Sequence, residues 1–287
     1  MKKDLVSVLM VNYNHADTIE KSIRSVLEQT YSKLQLIIVD DGSTDNSVEI
    51  INSIDDPRIE LYEEKENKQI CAVTNIGMKK VRGEYFARID SDDLWEKNKL
   101  EIQVEYLKNH SEQKICFTHA AIINEKDQII DSELEKLYAV NYESQEEWLE
   151  TFFFIGNCLP MTSVLMTTKL MVEIGEFNIA YRQLHDFDYW VRVAKKCPMA
   201  VISKKLVRMR RYDNEINNSN TSEENMTRTY NEYVDIRRHF FDEMSDVVLK
   251  KTFGKYFKNN NAESREELEC EKAFLLCSPV GQGRTIS

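Results

Sequence analysis

Two apolar runs without polar interruption, each closing on an amide or an acid, constrain this chain more than any other feature. LVSVLMV (5–11) stops at Asn12, and LQLIIVD (34–40) stops at Asp40 and Asp41. A strand with water on one face alternates apolar and polar residues, so unbroken runs belong to strands covered on both faces, the habit of parallel sheets. Between them lies TIEKSIRSVLEQ (18–29), where Ile19, Ile23, Val26 and Leu27 recur at helical spacing. Strand, helix, strand makes a βαβ unit.

The alternation continues. In DDGSTDNS, Ser43 or Thr44 is placed to cap a helix whose Val48, Ile51 and Ile54 face the sheet. RIELYE (58–63) reads as a third strand, 68–81 as a third helix with Ile70, Val73 and Val81 inward, and YFARID (85–90) as a fourth strand. The expected fold class is therefore α/β, Rossmann-like, with a mostly parallel sheet, flanking helices and right-handed crossovers. Ligands of such sheets sit at the carboxyl ends of the strands. Asn12 to Asn14, Asp40 and Asp41, and Asp90 to Asp93 all gather there.

Beyond residue 110 the pattern changes. ICFTHAAII and QIIDSE, separated by NEKD, read as a hairpin, followed by an aromatic helix over Trp148 to Phe154. This half is expected to recognise a second substrate. From 222 to about 258 runs a long charged helical region with Tyr230, Val234, Ile236, Phe240 and Phe241 among its apolar positions. Packing on the domain is the expected role of that spacing, with peripheral membrane contact or a homodimer as alternatives. The last thirty residues carry no clear signal. The expected division is 1–215 as the main domain (1–110 and 111–215 as its halves), 216–258 as a helical extension, and 259–287 as a tail.

The 287 residues are 42% hydrophobic, enough for a large core, and carry a formal net charge of -11. That charge argues against nucleic acid as a partner, since phosphate contacts need clustered Lys and Arg. A phosphorylated small molecule stays open, because a metal held by carboxylates reverses the local field. The six cysteines lie far apart with no C-x-x-C spacing, so buried free thiols in a reducing cytosol are expected. Asp4 interrupts the first apolar run, which is too short for a signal or a membrane span. A cytoplasmic location follows as the expectation, and the sequons at Asn217, Asn220 and Asn225 carry no meaning in it.

Asp90-Ser91-Asp92-Asp93 is the densest cluster of acids. Carboxylates two residues apart converge on one site at the turn leaving a strand, where a divalent cation relieves their repulsion; hard oxygen ligands suit Mg²⁺ or Mn²⁺. Asp93 reads instead as an N-cap, with Glu96 completing a capping box in DLWE. Asp40 and Asp41 either accept hydrogen bonds from a base or ribose or form a plain turn. An EF-hand is excluded by Asn46 and Asn52 at the Gly and Glu positions, and no Walker lysine follows. In RQLHDFDYWVRVAKK (182–196), Tyr189, Trp190 and Val193 form an inward helical stripe, which leaves Asp186 near the helix start as a cap or a general base. His185 beside it more often has a structural role.

In order and spacing these motifs resemble an inverting nucleotide-sugar glycosyltransferase of family 2, with the GT-A fold. SVLMVNYNHADTIEKSIRSVLEQTY followed by IIVDDGSTDNS is similar to that family's opening βαβ, GEYFARIDSDD to its metal-binding turn, and GEFN with HDFDYWVRVA to its acceptor-side helix. The resemblance runs from about residue 5 to about 215. It implies a nucleotide-sugar donor, UDP-linked by preference, an acceptor that is a saccharide, a lipid-linked sugar or a protein, and a role in surface polysaccharide or glycoconjugate synthesis. Tyr13 would lie against the nucleobase and Asp41 hydrogen-bond it, with Asp40 nearby. Asp90 would approach the ribose and diphosphate, with Val11, Ser91 and Arg210 in the same nucleotide-sugar site. Asp92 would ligate Mn²⁺ or Mg²⁺, and Asp186 would match the catalytic base.

Three positions depart from the family pattern. Thr74 in VTNIG stands where Arg is common, leaving Lys68 or Arg88 to supply its contact; His185 stands where Glu usually precedes the base; and MRRYD puts Tyr212 in place of a His. Two rivals remain. A haloacid dehalogenase-type phosphatase expects its Asp-x-Asp after the first strand and a hydroxyl residue where this chain has Leu94. A sugar-nucleotide-binding scaffold has no need of Asp186.

Overall fold

In the computed structural model, residues 1–212 and 222–277 are described. The chain begins β1 (Lys2–Asn12), α1 (Ile19–Leu27), β2 (Leu34–Asp40), α2 (Ser47–Asn52), β3 (Ile59–Glu63), α3 (Ile70–Met78), β4 (Gly83–Asp90), β5 (Leu94–Trp95) and α4 (Lys99–Asn109). It continues through β6 (Ile115–Ile123), α5 (Glu133–Leu137), α6 (Gln145–Phe154), β7 (Leu165–Thr167), α7 (Thr168–Ile174), α8 (His185–Ala194) and β8 (Ala200–Arg210). Helices α9 (Glu223–Arg238), α10 (Asp246–Phe253) and α11 (Arg265–Cys277) follow. The strands form one sheet in the order β3-β2-β1-β4-β7-β6-β8-β5.

The unbroken apolar runs are explained by two cores, one on each face of this sheet. Val8 and Met10 of β1 and Leu36 and Ile38 of β2 join a cluster with Ile19, Ile23 and Val26 of α1. Leu9, Ile37 and Val39 point the other way, to a cluster that includes Val73 of α3, Trp148 and Phe152 of α6, and Trp190 of α8. From Val6 to Met10 on β1 and throughout β2, every residue is buried on one side or the other. On β4, Ala87 and Ile89 belong to the first cluster and Phe86 to the second. Strand alternation puts Arg88 and Asp90 on the Phe86 face, the side that α8 covers.

β3, β2, β1 and β4 pair in parallel, while β7 runs antiparallel to both β4 and β6, and β8 pairs parallel to β6 and antiparallel to β5. The expected parallel sheet is thus the first half, and the second half is mixed. Register sets Asn12 beside Asp40 and Val11 beside Asp90. The polar ends of three strands therefore meet at one edge.

Several local expectations need correction. Helix α2 starts at Ser47, and neither Ser43 nor Thr44 caps it: the Ser43 hydroxyl donates to Asp40 and the Thr44 N–H donates to Asn14. The expected hairpin stops almost where it starts, with a single bridge between Ile123 and Ile129, and the long partner of β6 is instead β8, on its other edge. The C-terminal helical region is two helices, broken before Ser245, whose hydroxyl accepts from the Val248 N–H to start α10. Within it Ile236, Phe240 and Phe241 are buried, but Tyr230 and Val234 are exposed, since α9 turns its Glu232 face inward. Phe153 of α6 meets Phe240, Phe241 and Phe253 at ring-centroid distances of 5.1, 5.1 and 5.3 Å. The presumed tail contains α11, anchored through Leu268 and Leu275.

The 215/216 boundary, Asn217, Asn220 and residues 278–287 lie outside the described residues. Of the six free cysteines, Cys71, Cys116, Cys158 and Cys197 are buried as expected, whereas Cys270 and Cys277 are exposed on α11. Among the described residues no helix is long and apolar enough to cross a membrane.

Candidate active site

The turn after β2 is built by its own acids. Asp40 is buried and accepts from Asn12 Nδ2 (2.7 Å), the Ser43 N–H (2.8 Å) and the Ser43 hydroxyl (2.7 Å). Asp41, also buried, accepts from the N–H groups of Lys68 (2.6 Å) and Gln69 (3.1 Å), which lead into α3. Burial pushes its carboxyl above the usual range, and those two N–H groups pull it back. Gly42 between these contacts has φ +75°, and a Cβ there would meet the Glu66 carbonyl carbon at 2.8 Å, so only glycine fits the turn. Asp40 is thus a framework residue, while each Asp41 oxygen keeps a lone pair for a further donor. Val11 is half-buried at the end of β1, and Tyr13, one residue past the strand, is 42% exposed with its ring available for stacking.

The turn after β4 is held from both sides. His15 Nδ1 lies 2.8 Å from the Ser91 hydroxyl, and the Ser91 carbonyl accepts from the hydroxyls of Thr18 (3.1 Å) and Ser22 (2.9 Å). Ser91 is therefore a buried anchor for the turn. On the far side, the Arg210 N–H donates to Asp93 (2.8 Å), its Nε to the Asp92 carbonyl (2.9 Å), its Nη1 to the Asn124 carbonyl (2.8 Å) and its Nη2 to Asp127 (2.5 Å). Arg210, matched above to the nucleotide-sugar site, is buried and occupied with shaping the metal-turn candidate. Asp93 is no helix cap. It is buried against β8, the residues after it form β5, and α4 starts only at Lys99. Burial, then repulsion from Asp92 and Asp90, raise its carboxyl well above the ordinary range. Replacing Arg210 with Met is expected to lower stability by about 2 kcal/mol, read as a lower denaturant midpoint, because the Asp92 and Asn124 carbonyls lose their donor and Asp127 is left with Lys21.

Asp92 and Asp90 are left to face the edge, both half-buried. Burial raises the Asp92 carboxyl, with His15 countering and Asp90 adding repulsion. The Asp90 carboxylate accepts from Arg88 Nη2 at 3.2 Å. Arg88 is buried, and among the described residues its Nε and Nη1 have no hydrogen-bond partner. Among the described residues no three acids, cysteines or histidines are grouped as a self-sufficient metal cage. One or two hard carboxylates that repel each other at a strand end instead fit a divalent cation that completes its shell with phosphate oxygens and water, as Mg²⁺ does. The donors thus suit Mn²⁺ or Mg²⁺ brought with a diphosphate.

Asp186 stands in the first turn of α8, on the same side of the sheet. Its Oδ2 accepts from Asn157 Nδ2 (2.8 Å) and its Oδ1 from the Phe187 N–H (2.7 Å). Burial raises its carboxyl, while His185, the Phe187 N–H and Arg88 act to lower it. His185 is lowered by its own burial and lies with Nδ1 3.1 Å from the Arg182 carbonyl. The charge of Arg88 reaches Asp186 and His185 while its guanidinium pairs with Asp90, and the Tyr138 phenol feels both Asp186 and Asp93. The metal-turn candidate and the candidate base thus feel the same buried guanidinium.

Of the replacements noted in the sequence, Thr74 is buried and donates back to the Ile70 carbonyl (2.6 Å), so it offers nothing to a ligand. Lys68 pairs with Glu64 (2.5 Å). Tyr212 has its phenol pushed up to about 12, chiefly by burial. Asn157, which orients Asp186, escaped the sequence reading: a single Asn in IGNCLP carries no periodic or motif signal. His15 and Asp127 escaped it for the same reason.

The family model described as Glycosyl transferase family 2 matches residues 7–167. The UDP-Glc:alpha-D-GlcNAc-diphosphoundecaprenol beta-1,3-glucosyltransferase WfaP of Escherichia coli is 30% identical over 195 residues, covering 67% of this chain and 71% of its own. An uncharacterized glycosyltransferase of Rickettsia conorii is 31% identical over 207 residues, which are 71% of this chain but 32% of that relative. Among solved structures, S. aureus TarS 1–349 in complex with UDP-GlcNAc superimposes with a TM-score of 0.67 at 15% identity, covering 88% of this chain and 72% of that one. Mannosyltransferase PcManGT from Pyrobaculum calidifontis in complex with GDP-Man and Mn²⁺ gives 0.61 at 17% identity, covering 96% and 72%. At these identities the two structures speak for the fold.

Proposed function

The chain belongs to glycosyl transferase family 2, and from that premise we propose that it moves a hexose or N-acetylhexosamine from a UDP-linked donor to an acceptor hydroxyl, with inversion and with a divalent metal. One observation carries the reading: Asp90, at the end of β4 and two residues before Asp92, pairs with Arg88, whose charge also reaches Asp186 at the start of α8.

The donor's base stacks on Tyr13 beside Val11 and donates its imide N–H to Asp41, whose place is fixed by the N–H groups of Lys68 and Gln69. Asp90 would face the ribose and diphosphate, and Asp92 would hold the ion at a turn braced by Ser91 and Arg210. Mn²⁺ or Mg²⁺, when bound, acts as a Lewis acid on the departing diphosphate. Asp186 takes the proton of the acceptor hydroxyl as that oxygen attacks the anomeric carbon from the face opposite the diphosphate. The new C–O bond forms as the bond to the diphosphate breaks, and its electron pair leaves with the nucleoside diphosphate. A single displacement inverts the anomeric centre.

The names of WfaP and of the TarS complex, with UDP-Glc and a diphosphoundecaprenol acceptor in one and UDP-GlcNAc in the other, support a UDP donor and a lipid-linked saccharide acceptor, and surface-glycan synthesis is the role we propose for that reaction. A screen of UDP-glucose, UDP-GlcNAc and GDP-mannose with Mn²⁺ present should find one donor that releases nucleoside diphosphate on adding acceptor. No release above the buffer rate from any donor would defeat the reading.

The pH dependence has a definite sign. Burial raises Asp186, so the base is protonated and idle below a pKa that lies above the ordinary carboxylate range, and active above it. The acid limb of kcat/KM, measured at saturating Mn²⁺, should therefore fall at a higher pH than a solvent-exposed aspartate would give.

A further inference from the structure

We propose that Glu232, on α9, is a positioning residue for Asp186, so that the C-terminal helix belongs to the catalytic apparatus. This rests on the reading of Asp186 as the base. Three consecutive main-chain N–H groups run into the start of α8, and all three end on this one carboxylate. Arg182 donates to Glu232 Oε1 at 2.8 Å, and Gln183 and Leu184 donate to Oε2 at 2.8 and 2.7 Å. Glu232 is 6% exposed, so these bonds are largely screened from water.

The first N–H groups of a helix and the residues entering it have no partner within the helix, and a carboxylate placed there also meets the positive end of the helix dipole. Here the carboxylate comes from another helix, 46 residues after Asp186 in the chain. Asp186 lies two residues past the last of the three donors. Among the described residues its own carboxylate is fixed by Asn157 and by the Phe187 N–H, so the backbone that carries it must be held from elsewhere. Two further bonds from α9 reach the same stretch: the Tyr181 hydroxyl donates to Asp235 (2.7 Å), and Gln183 Nε2 donates to Asn225 (3.0 Å). Glu232 lies outside the donor-side turns after β1, β2 and β4. Its direct hold is on the backbone entering α8.

Glu232→Gln keeps the shape but sets an amide N–H₂ against an N–H donor; Glu232→Ala removes both acceptor oxygens and with them all three bonds. A misplacement of about 1 Å in a catalytic group lowers turnover about a hundredfold. Turnover is therefore expected to fall about tenfold in Glu232→Gln and about a hundredfold in Glu232→Ala, with the donor KM unchanged within about twofold. In an Asp186→Asn background, Glu232→Ala should lower kcat by less than about twofold, because residues acting as one unit are not additive. Parental kcat in both Glu232 variants overturns the proposal. So does a Glu232 loss that multiplies in full with the Asp186 loss, which marks a general structural cap. Parental kcat in Asp186→Asn alone removes the base assignment first, and this proposal with it. Should Glu232→Ala fail to fold, Glu232→Gln, with the same donor KM as the parent, carries the test.

Discussion

Asp186→Asn is expected to lower kcat by about a hundredfold to ten-thousandfold, or ~2.7–5.4 kcal/mol of barrier, while nucleoside diphosphate affinity stays at the parental value. The asparagine keeps the size and an oxygen for the Asn157 bond, but it cannot take up a proton at neutral pH. Single-turnover rates and calorimetric titration of UDP separate the two effects. The acid limb of the pH profile should vanish with the carboxylate. A variant that turns over at the parental rate would move the base elsewhere.

Asp92→Asn should have the larger effect on donor use, lowering kcat/KM by about a thousandfold, or ~4 kcal/mol. Two losses combine here. The leaving diphosphate is less well neutralised, and the donor is no longer held in line with the acceptor, an alignment that contributes ~7–11 kcal/mol in favourable cases. The turn itself should survive, because its anchors are the Asp92 carbonyl, Asp93 and Ser91 rather than the Asp92 carboxylate. Unchanged stability with a much weaker response to added Mn²⁺ is the expected pair of results. A parental Mn²⁺ titration curve would show that the ion, if used, is held by other groups.

The contrast between Asp92 and Arg210 shows where sequence reading ran out. Both sit in motifs that resemble the family's substrate-binding series, and spacing treats them alike. In the fold, Asp92 faces the strand edge while Arg210 is enclosed by Asn124, Asp127 and the metal-turn backbone. The same holds for Asp40 and Asp41. Adjacent in sequence, one is consumed by Asn12 and Ser43, and the other is aimed by the start of α3. Asp93 looked like a cap because DLWE fits a capping box, but a two-residue strand pairing with β8 took those residues first. Local propensity lost to a tertiary hydrogen bond.

From residue order alone came the βαβ start, the two-sided core and the gathering of acids at strand ends, since these follow from periodicity and from strands whose ends share one edge. Tertiary structure alone decided which of those acids are free, how Asn157 and Glu232 hold Asp186, and that the last helices join the core around Phe153. The physical reason is range. A hydrophobic period repeats along the chain and can be read from it, whereas a hydrogen bond between residues 29 or 48 positions apart leaves no mark on the sequence near either end.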